Sequence, residues 1–337
     1  MQLNLFNEEP TREPPEFIPD LYSYDYIIVA FSGGKDSIAS YLRLHELGVP
    51  ASKIELWHHR IDGIEGSKLM DWPVTDDYCL QFSRVMGSPI YYSWREGGFE
   101  REMLRQNQPT GPVVFESPGG GLHVRGGTSP KLNTRRKFPQ VSADLSVRWC
   151  SAYLKIMVMN AAITAQKRFE GKRTLIITGE RAEESAARAK YEVFGSHYYT
   201  NCKKRHVDHW RPVHKWKEQK VWDIIKKYNI RVHPCYYLGW NRCSCSACIF
   251  GNNDQWASLN ALNPDQVKVI ADYESEFKTT IHRKIPVMER VQQGKAYEMN
   301  KDIMALALSK NYYESIIMRS EEWIMPSGAF GEGCGPT

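Results

Sequence analysis

Hydrophobic residues along this chain fall into short unbroken blocks, separated by glycines and by longer stretches with helical spacing. The first block, Tyr26, Ile27, Ile28, Val29, Ala30 and Phe31, is β-branched and aromatic, the pattern of a strand covered on both faces. Ser32, Gly33, Gly34, Lys35, Asp36 and Ser37 interrupt it. Ile38, Tyr41, Leu42, Leu44 and Leu47 then recur on one helical face until Gly48 ends the run. A second strand is predicted over residues 53–58. Strand, glycine loop, helix and strand in this order open a parallel α/β sheet. Another buried strand, Thr174, Leu175, Ile176, Ile177 and Thr178, ends at Gly179. Helical spacing is predicted over residues 149–169 and 221–228, and again, with many charges, from Pro264 onward. The fold class is α/β: a three-layer open parallel sheet with a small, mostly helical C-terminal region.

The less regular segments divide the chain further. Residues 1–24 read as a flexible N-terminal tail, because the first twenty are acidic and proline-rich without periodicity. Residues 25–250 read as the main α/β domain, which carries a cysteine cluster, and residues 251–337 as a helical region ending in a mobile small-residue tail. Residues 110–140 are a long irregular insertion, which is usually functional or mobile. No internal repeat is visible.

Composition narrows the class. Hydrophobic residues are 42% and charged residues 25% of the chain, which excludes a disordered or fibrous protein. The net charge of +5 permits an anionic ligand without by itself arguing for nucleic acid. No apolar run approaches the roughly 20 residues of a bilayer span, and the N-terminus lacks the order of a signal peptide. A cytoplasmic protein without membrane contact is expected. Eight cysteines in a reducing compartment point to a metal site or a reactive thiol rather than to disulfides.

The most informative segment is the loop from Ser32 to Ser37. Its glycines let backbone approach an anion, and the following helix N-terminus aims N–H groups at it. Lys35 adds a full charge and the serines add hydroxyl donors. An ordinary glycine-rich turn would not need these residues in this order. Neither the Gly-x4-Gly-Lys-Ser/Thr loop nor the Gly-x-Gly-x-x-Gly fingerprint is present. The string resembles the Ser-Gly-Gly-Lys-Asp-Ser loop of PP-loop ATP pyrophosphatases, whose fold is adenine nucleotide alpha-hydrolase-like.

Further elements resemble the phosphoadenosine-phosphosulfate (PAPS) reductase family within that superfamily. Cys150 to Lys155 is similar to its Cys-x4-Lys-Val/Ile element. Thr178, Gly179, Arg181, Ser185 and Arg188 match its Thr-Gly-x-Arg-x3-Ser-x2-Arg pattern. Residues 211–222 are similar to its proline- and tryptophan-containing stretch. The resemblance covers residues 26–250, about two-thirds of the chain. It implies an adenine nucleotide bound by Ser32, Gly33, Gly34, Lys35, Asp36, Ser37, Asp62, Gly179 and Glu180, with Lys35, Asp36, Arg181 and Arg188 in catalysis. Two arginines at the carboxyl edge of a strand suit phosphate or sulfate oxygens. Asp62 could equally be the first residue of an Asp-Gly turn. Glu180, Glu183 and Glu184 could hold Mg²⁺ on the nucleotide, or simply enrich a helix start in acids.

Cys235, Cys243, Cys245 and Cys248 lie close together, a spacing suited to zinc or an iron–sulfur centre. The resemblance implies a 4Fe-4S cluster on Cys150, Cys245 and Cys248, with zinc as the alternative. The fourth ligand is left to Cys235 or Cys243, with Cys235 preferred. Cys79 and Cys202 have no partner in sequence. Cys334 sits in a glycine-rich tail, where the family's reductases carry a nucleophilic cysteine, although one glycine intervenes and the terminal histidine is absent.

Three functions follow as expectations. The preferred one is an ATP pyrophosphatase that adenylates an acceptor for sulfur transfer, as in DNA phosphorothioation systems, with DNA or RNA as acceptor and a cysteine desulfurase as sulfur donor. Basic runs at residues 131–137, 167–173 and 203–206 offer surfaces for phosphates, though each alone reads as a solvated face. The second is a sulfonucleotide reductase acting through Cys334. The third is a nucleotide-sensing module without turnover.

Overall fold

The computed structural model describes residues 16–330. Eight strands form one sheet in the order β5-β4-β3-β2-β1-β6-β8-β7. Five of them run parallel: β1 (Tyr26–Ala30), β2 (Ile54–Arg60), β3 (Ile90–Arg95), β6 (Arg173–Ile177) and β8 (His206–Trp210). β4 (Val113–Glu116), β5 (Leu122–Arg125) and β7 (Phe194–Ser196) flank them antiparallel. The central strands are buried on both faces, which explains their unbroken apolar blocks. Ile27 and Val29 face the core that holds helix α1 (Lys35–Glu46), while Ile28 faces a second core with Met159 and Ile163. The expected three-layer α/β architecture is what the chain adopts. No helix among the described residues is long and apolar enough to cross a membrane.

Strand order fixes where a ligand binds. From β1 the chain moves outward through β2 and β3, and then returns to the other side of β1 with β6. The carboxyl ends of β1 and β6 therefore open a crevice at the switch point. The helices Asn253–Leu262, Pro264–Phe277, Val287–Gln293 and Lys301–Leu308 bury Trp256, Ile270, Val287 and Leu306 in the same core as α1.

Two expectations need correction. The N-terminal tail does not extend to residue 24, because Leu21 and Tyr24 are buried and the Tyr24 hydroxyl donates to Asp208 at 2.7 Å. The 110–140 insertion is not structureless: β4 and β5 form a hairpin within it. Beyond the hairpin, Arg135 stacks over Trp149 and Tyr153 at 4.5 and 4.6 Å and donates to buried Glu102. Such anchors cannot be read from a stretch whose partners lie elsewhere in the chain.

Candidate active site

A cavity of about 390 Å³ fills the switch-point crevice. Ser32, Asp36 and Ser37 line it from the β1 loop, and Thr178, Gly179 and Glu180 from the end of β6. Gly33 has φ +75°, where side chains are disfavoured. Gly179 lies so close to α1 that a Cβ would stand 2.7 Å from the Asp36 carbonyl oxygen, so the two sides of the crevice meet only through a glycine. Trp57, Ile61, Phe99 and Met159 supply an apolar wall, with His59 beside them. Burial foremost, then the neighbouring His58, pushes His59 down to about 3 and keeps it neutral.

The two best-matched cations do not line this cavity. Lys35 and Arg181 are each 3% exposed and turn into an ion cluster behind the loop. Asp36 joins them, with Arg181 Nε at 2.7 Å and Lys35 Nζ at 3.1 Å, and Glu183 and Glu218 complete the cluster. The cations on the cavity wall are instead Arg148, Lys155, Arg188 and Arg242. Arg148 and Arg242 carried no assigned role in the sequence reading. Arg242 could have been suspected only from its place beside Cys243.

The acids are also committed. Glu180 accepts from Arg211 at 2.9 Å, Glu183 from Arg181 at 2.6 Å, and Glu184 pairs with Arg188. They do not converge on a point, so the donor set does not fit a carboxylate-held Mg²⁺. Asp62 stands apart as well. It is 2% exposed, and its Oδ2 accepts the amides of Met70 and Asp71 at 2.9 and 2.8 Å, closing the 63–71 loop instead of reaching the cavity. Neither a nucleotide contact nor a local Asp-Gly turn describes this carboxylate, whose partners lie eight and nine residues on.

The cysteines separate into two groups. Cys150, Cys245 and Cys248 line the cavity. Cys235 and Cys243 are buried beside His233, their ligand atoms and the imidazole nitrogen all within 4.8 Å of one another. Among the described residues this is the one set of three possible metal ligands so tightly gathered. The preference for Cys235 as a partner of Cys150, Cys245 and Cys248 is therefore not what the packing provides. Burial works against the Cys243 thiolate, but Cys235 and His233 outweigh it and bring the thiol to about 5. Burial pushes Cys150 and Cys245 up. Cys79 is buried under the loop, Cys202 is exposed, and Cys334 lies outside the described residues.

Residues 128–250 match the phosphoadenosine phosphosulfate reductase domain. That stretch, somewhat more than a third of the chain, is similar to the family's domain. Loop, crevice and family together make the chain a PP-loop nucleotide-utilising enzyme. An uncharacterized 37.8 kDa protein in the gpa 5' region of Escherichia phage 186 is 25% identical over 260 residues, 73% of this chain and 74% of that protein. Among solved structures, Candida glabrata FMN adenylyltransferase in complex with FAD and inorganic pyrophosphate is similar over 64% of this chain, at 10% identity and a TM-score of 0.32. The likeness spans about half of that protein's length, 52%.

Within the matched stretch, the Cys-x4-Lys element shows why its spacing matters. Residues Ala152–Ile156 form a π-helical turn inside the helical stretch. An i→i+5 turn stacks Cys150 near Lys155, so both face the cavity, whereas five residues of α-helix would turn them well apart. The widened turn also leaves the Tyr153 carbonyl free to accept from Arg95 Nε at 3.0 Å.

A latch ties the cysteine segment to the phosphate loop. The Tyr236 hydroxyl accepts from the Lys35 amide at 2.9 Å and from the Cys243 amide at 3.2 Å. Tyr236→Phe strands two buried N–H groups and is expected to lower the unfolding free energy by about 2 kcal/mol in denaturant melts. A loss under about 0.5 kcal/mol, the range of an ordinary surface change, would show the latch to be unimportant.

Proposed function

We propose that the protein uses ATP to adenylate an acceptor oxygen for sulfur transfer, with nucleic acid as the acceptor. The observation that carries this reading is the single cavity wall that joins the phosphate loop, the end of β6 and three thiols, Cys150, Cys245 and Cys248. ATP would lie with its phosphates against Ser32, Ser37 and the α1 N-terminus and its base against the apolar wall. The acceptor oxygen attacks the α-phosphorus, pyrophosphate leaves, and sulfide then displaces AMP from the adenylate. Loop amides and Lys155 on the cavity wall would stabilise the charge that gathers on the phosphate oxygens. Any Mg²⁺ would arrive on those oxygens, since Glu180, Glu183 and Glu184 are engaged by arginines. The donor chemistry of Cys150, Cys245 and Cys248 fits an iron–sulfur cluster, which would supply a soft site for sulfur.

The family match favours a second reading, reduction of a sulfonucleotide by Cys334. Anaerobic protein assayed for pyrophosphate release from ATP beside sulfite release from PAPS separates the two. Pyrophosphate release untouched by Cys334→Ser is the expected result. Sulfite release abolished by that substitution would replace the proposal with the reductase.

A further inference from the structure

Three guanidinium groups from distant segments meet on one side of the cavity. Arg148 precedes the Cys150 helix, Arg188 lies in the short helix Ala186–Ala189, and Arg242 precedes Cys243. All three line the cavity with Phe250 and Tyr191. Arg148 and Arg242 hold their guanidinium carbons 5.8 and 5.9 Å from the same Phe250 ring. Glu184 is shared between Arg188 and Arg242, at 3.5 Å from the latter. Arg148 has no ion-pair partner among the described residues, and its buried Nε has no hydrogen-bond partner.

Three like charges gathered here, with one carboxylate between only two of them, lower their energy by taking up an anion. The nucleotide's polyphosphate already has the β1 loop. We infer that Arg148, Arg188 and Arg242 form a second phosphate subsite, which takes a phosphodiester of a single-stranded nucleic-acid acceptor. The neighbouring aromatics favour a strand over an isolated ion. Tyr191 lines the cavity and is 38% exposed; the Arg211 guanidinium covers one side of its ring at 5.0 Å, so a base next to the bound phosphate would meet the exposed remainder. Two of the basic runs cannot serve this role. Arg173 pairs with His206 at the amino edge of the sheet, so residues 167–173 and 203–206 lie opposite the cavity. There Arg168 and Lys172 are paired with Glu55 and Asp25.

This inference rests on the adenylation reading for its acceptor, and its test separates the two. The full chain is titrated with ATP, with 3'-phosphoadenosine 5'-phosphate and with a labelled single-stranded oligodeoxynucleotide of about 12 nucleotides, a length within common site sizes. Arg148→Ala and Arg242→Ala should each weaken oligonucleotide binding about tenfold or more. Each should also reduce the slope of log affinity against log salt by about 0.7, the single-strand value for one lost phosphate contact. ATP affinity should hold, and Arg148→Lys should recover part of the loss, which a folding defect would not. An equal loss for ATP, or no loss for the oligonucleotide, would overturn the subsite. A loss confined to 3'-phosphoadenosine 5'-phosphate would reassign it to a phosphate of the nucleotide itself. Wild-type protein that binds the oligonucleotide but not ATP would sink the adenylation reading and leave the subsite standing.

Discussion

Asp36→Ala will lower the unfolding free energy at pH 7 by about 3 kcal/mol. Asp36 is the carboxylate between two almost fully buried cations, Lys35 and Arg181. Removing one member of a buried charged set costs about 3–5 kcal/mol, because the remaining charges stay desolvated. The lower end applies here, since Glu183 and Glu218 stay near Arg181 and the Asp36 side chain is 22% exposed. Burial disfavours the Asp36 charge, but Lys35 and Arg181 outweigh it and hold the carboxyl below its ordinary range. A depressed folded-state value contributes stability above the unfolded value of about 3.9, and loses it as pH falls through the folded one. Wild type and variant should therefore differ at pH 7 and converge in strong acid. Adding Arg181→Met to Asp36→Ala should recover part of the loss, because the stranded charge goes with it. A double variant as unstable as the sum of both single changes would rule out the ion cluster as the cause.

Asp71→Asn will stabilise the protein at pH 8 by up to about 5 kcal/mol and do little at pH 4. Burial foremost, then the charges of Asp62 and Asp76, raises Asp71 to about 8. Below about pH 4 the group is protonated in both states and no stability depends on it. Between there and pH 8 the folded chain keeps a proton that the unfolded chain releases, so stability falls as pH rises, by up to about 1.4 kcal/mol per unit. Asparagine keeps an oxygen for the Trp72 amide, which donates to Asp71 at 2.8 Å, and has no proton to lose. Asp62, raised to about 6 mainly by burial, retains its own smaller slope at lower pH in both proteins. Urea melts at pH 5, 6, 7 and 8 read the difference. Parallel stability curves for the two proteins would show that Asp71 is ionised in the fold.

Much of the fold was legible because its signals are local. The apolar block at β1, the glycine loop and the spacing of Ile38, Tyr41 and Leu42 belong to contiguous residues, and each adopts the element its pattern predicts. The β4–β5 hairpin is not legible because each strand has only four residues; the Leu-His-Val-Arg alternation of β5 is too short to mark a strand, and both of its faces are exposed. Leu21 and Tyr24 are not legible as core residues because proline and acid nearby mask them, and the Tyr24 partner, Asp208, comes from β8.

The candidate site was legible in its residue types and not in their directions. Loop, arginines and thiols were all visible in the chain, but Arg181 and Lys35 point away from the cavity while Arg148 and Arg242 line it. The π-helical turn that brings Cys150 and Lys155 to one face has no residue signature, since it differs from an α-helix only in its hydrogen-bond register.

By itself the sequence determined that a glycine-rich anion loop follows a buried strand in a parallel α/β sheet, because those choices rest on backbone freedom and on burial of neighbouring residues. Only the tertiary structure decided which charges meet a ligand. Asp36 and Arg181 are 145 positions apart, and their pairing depends on β1 and β6 lying side by side. Each acid that neutralises an arginine behind the loop removes it from the cavity, and those pairings exist only once the sheet has formed.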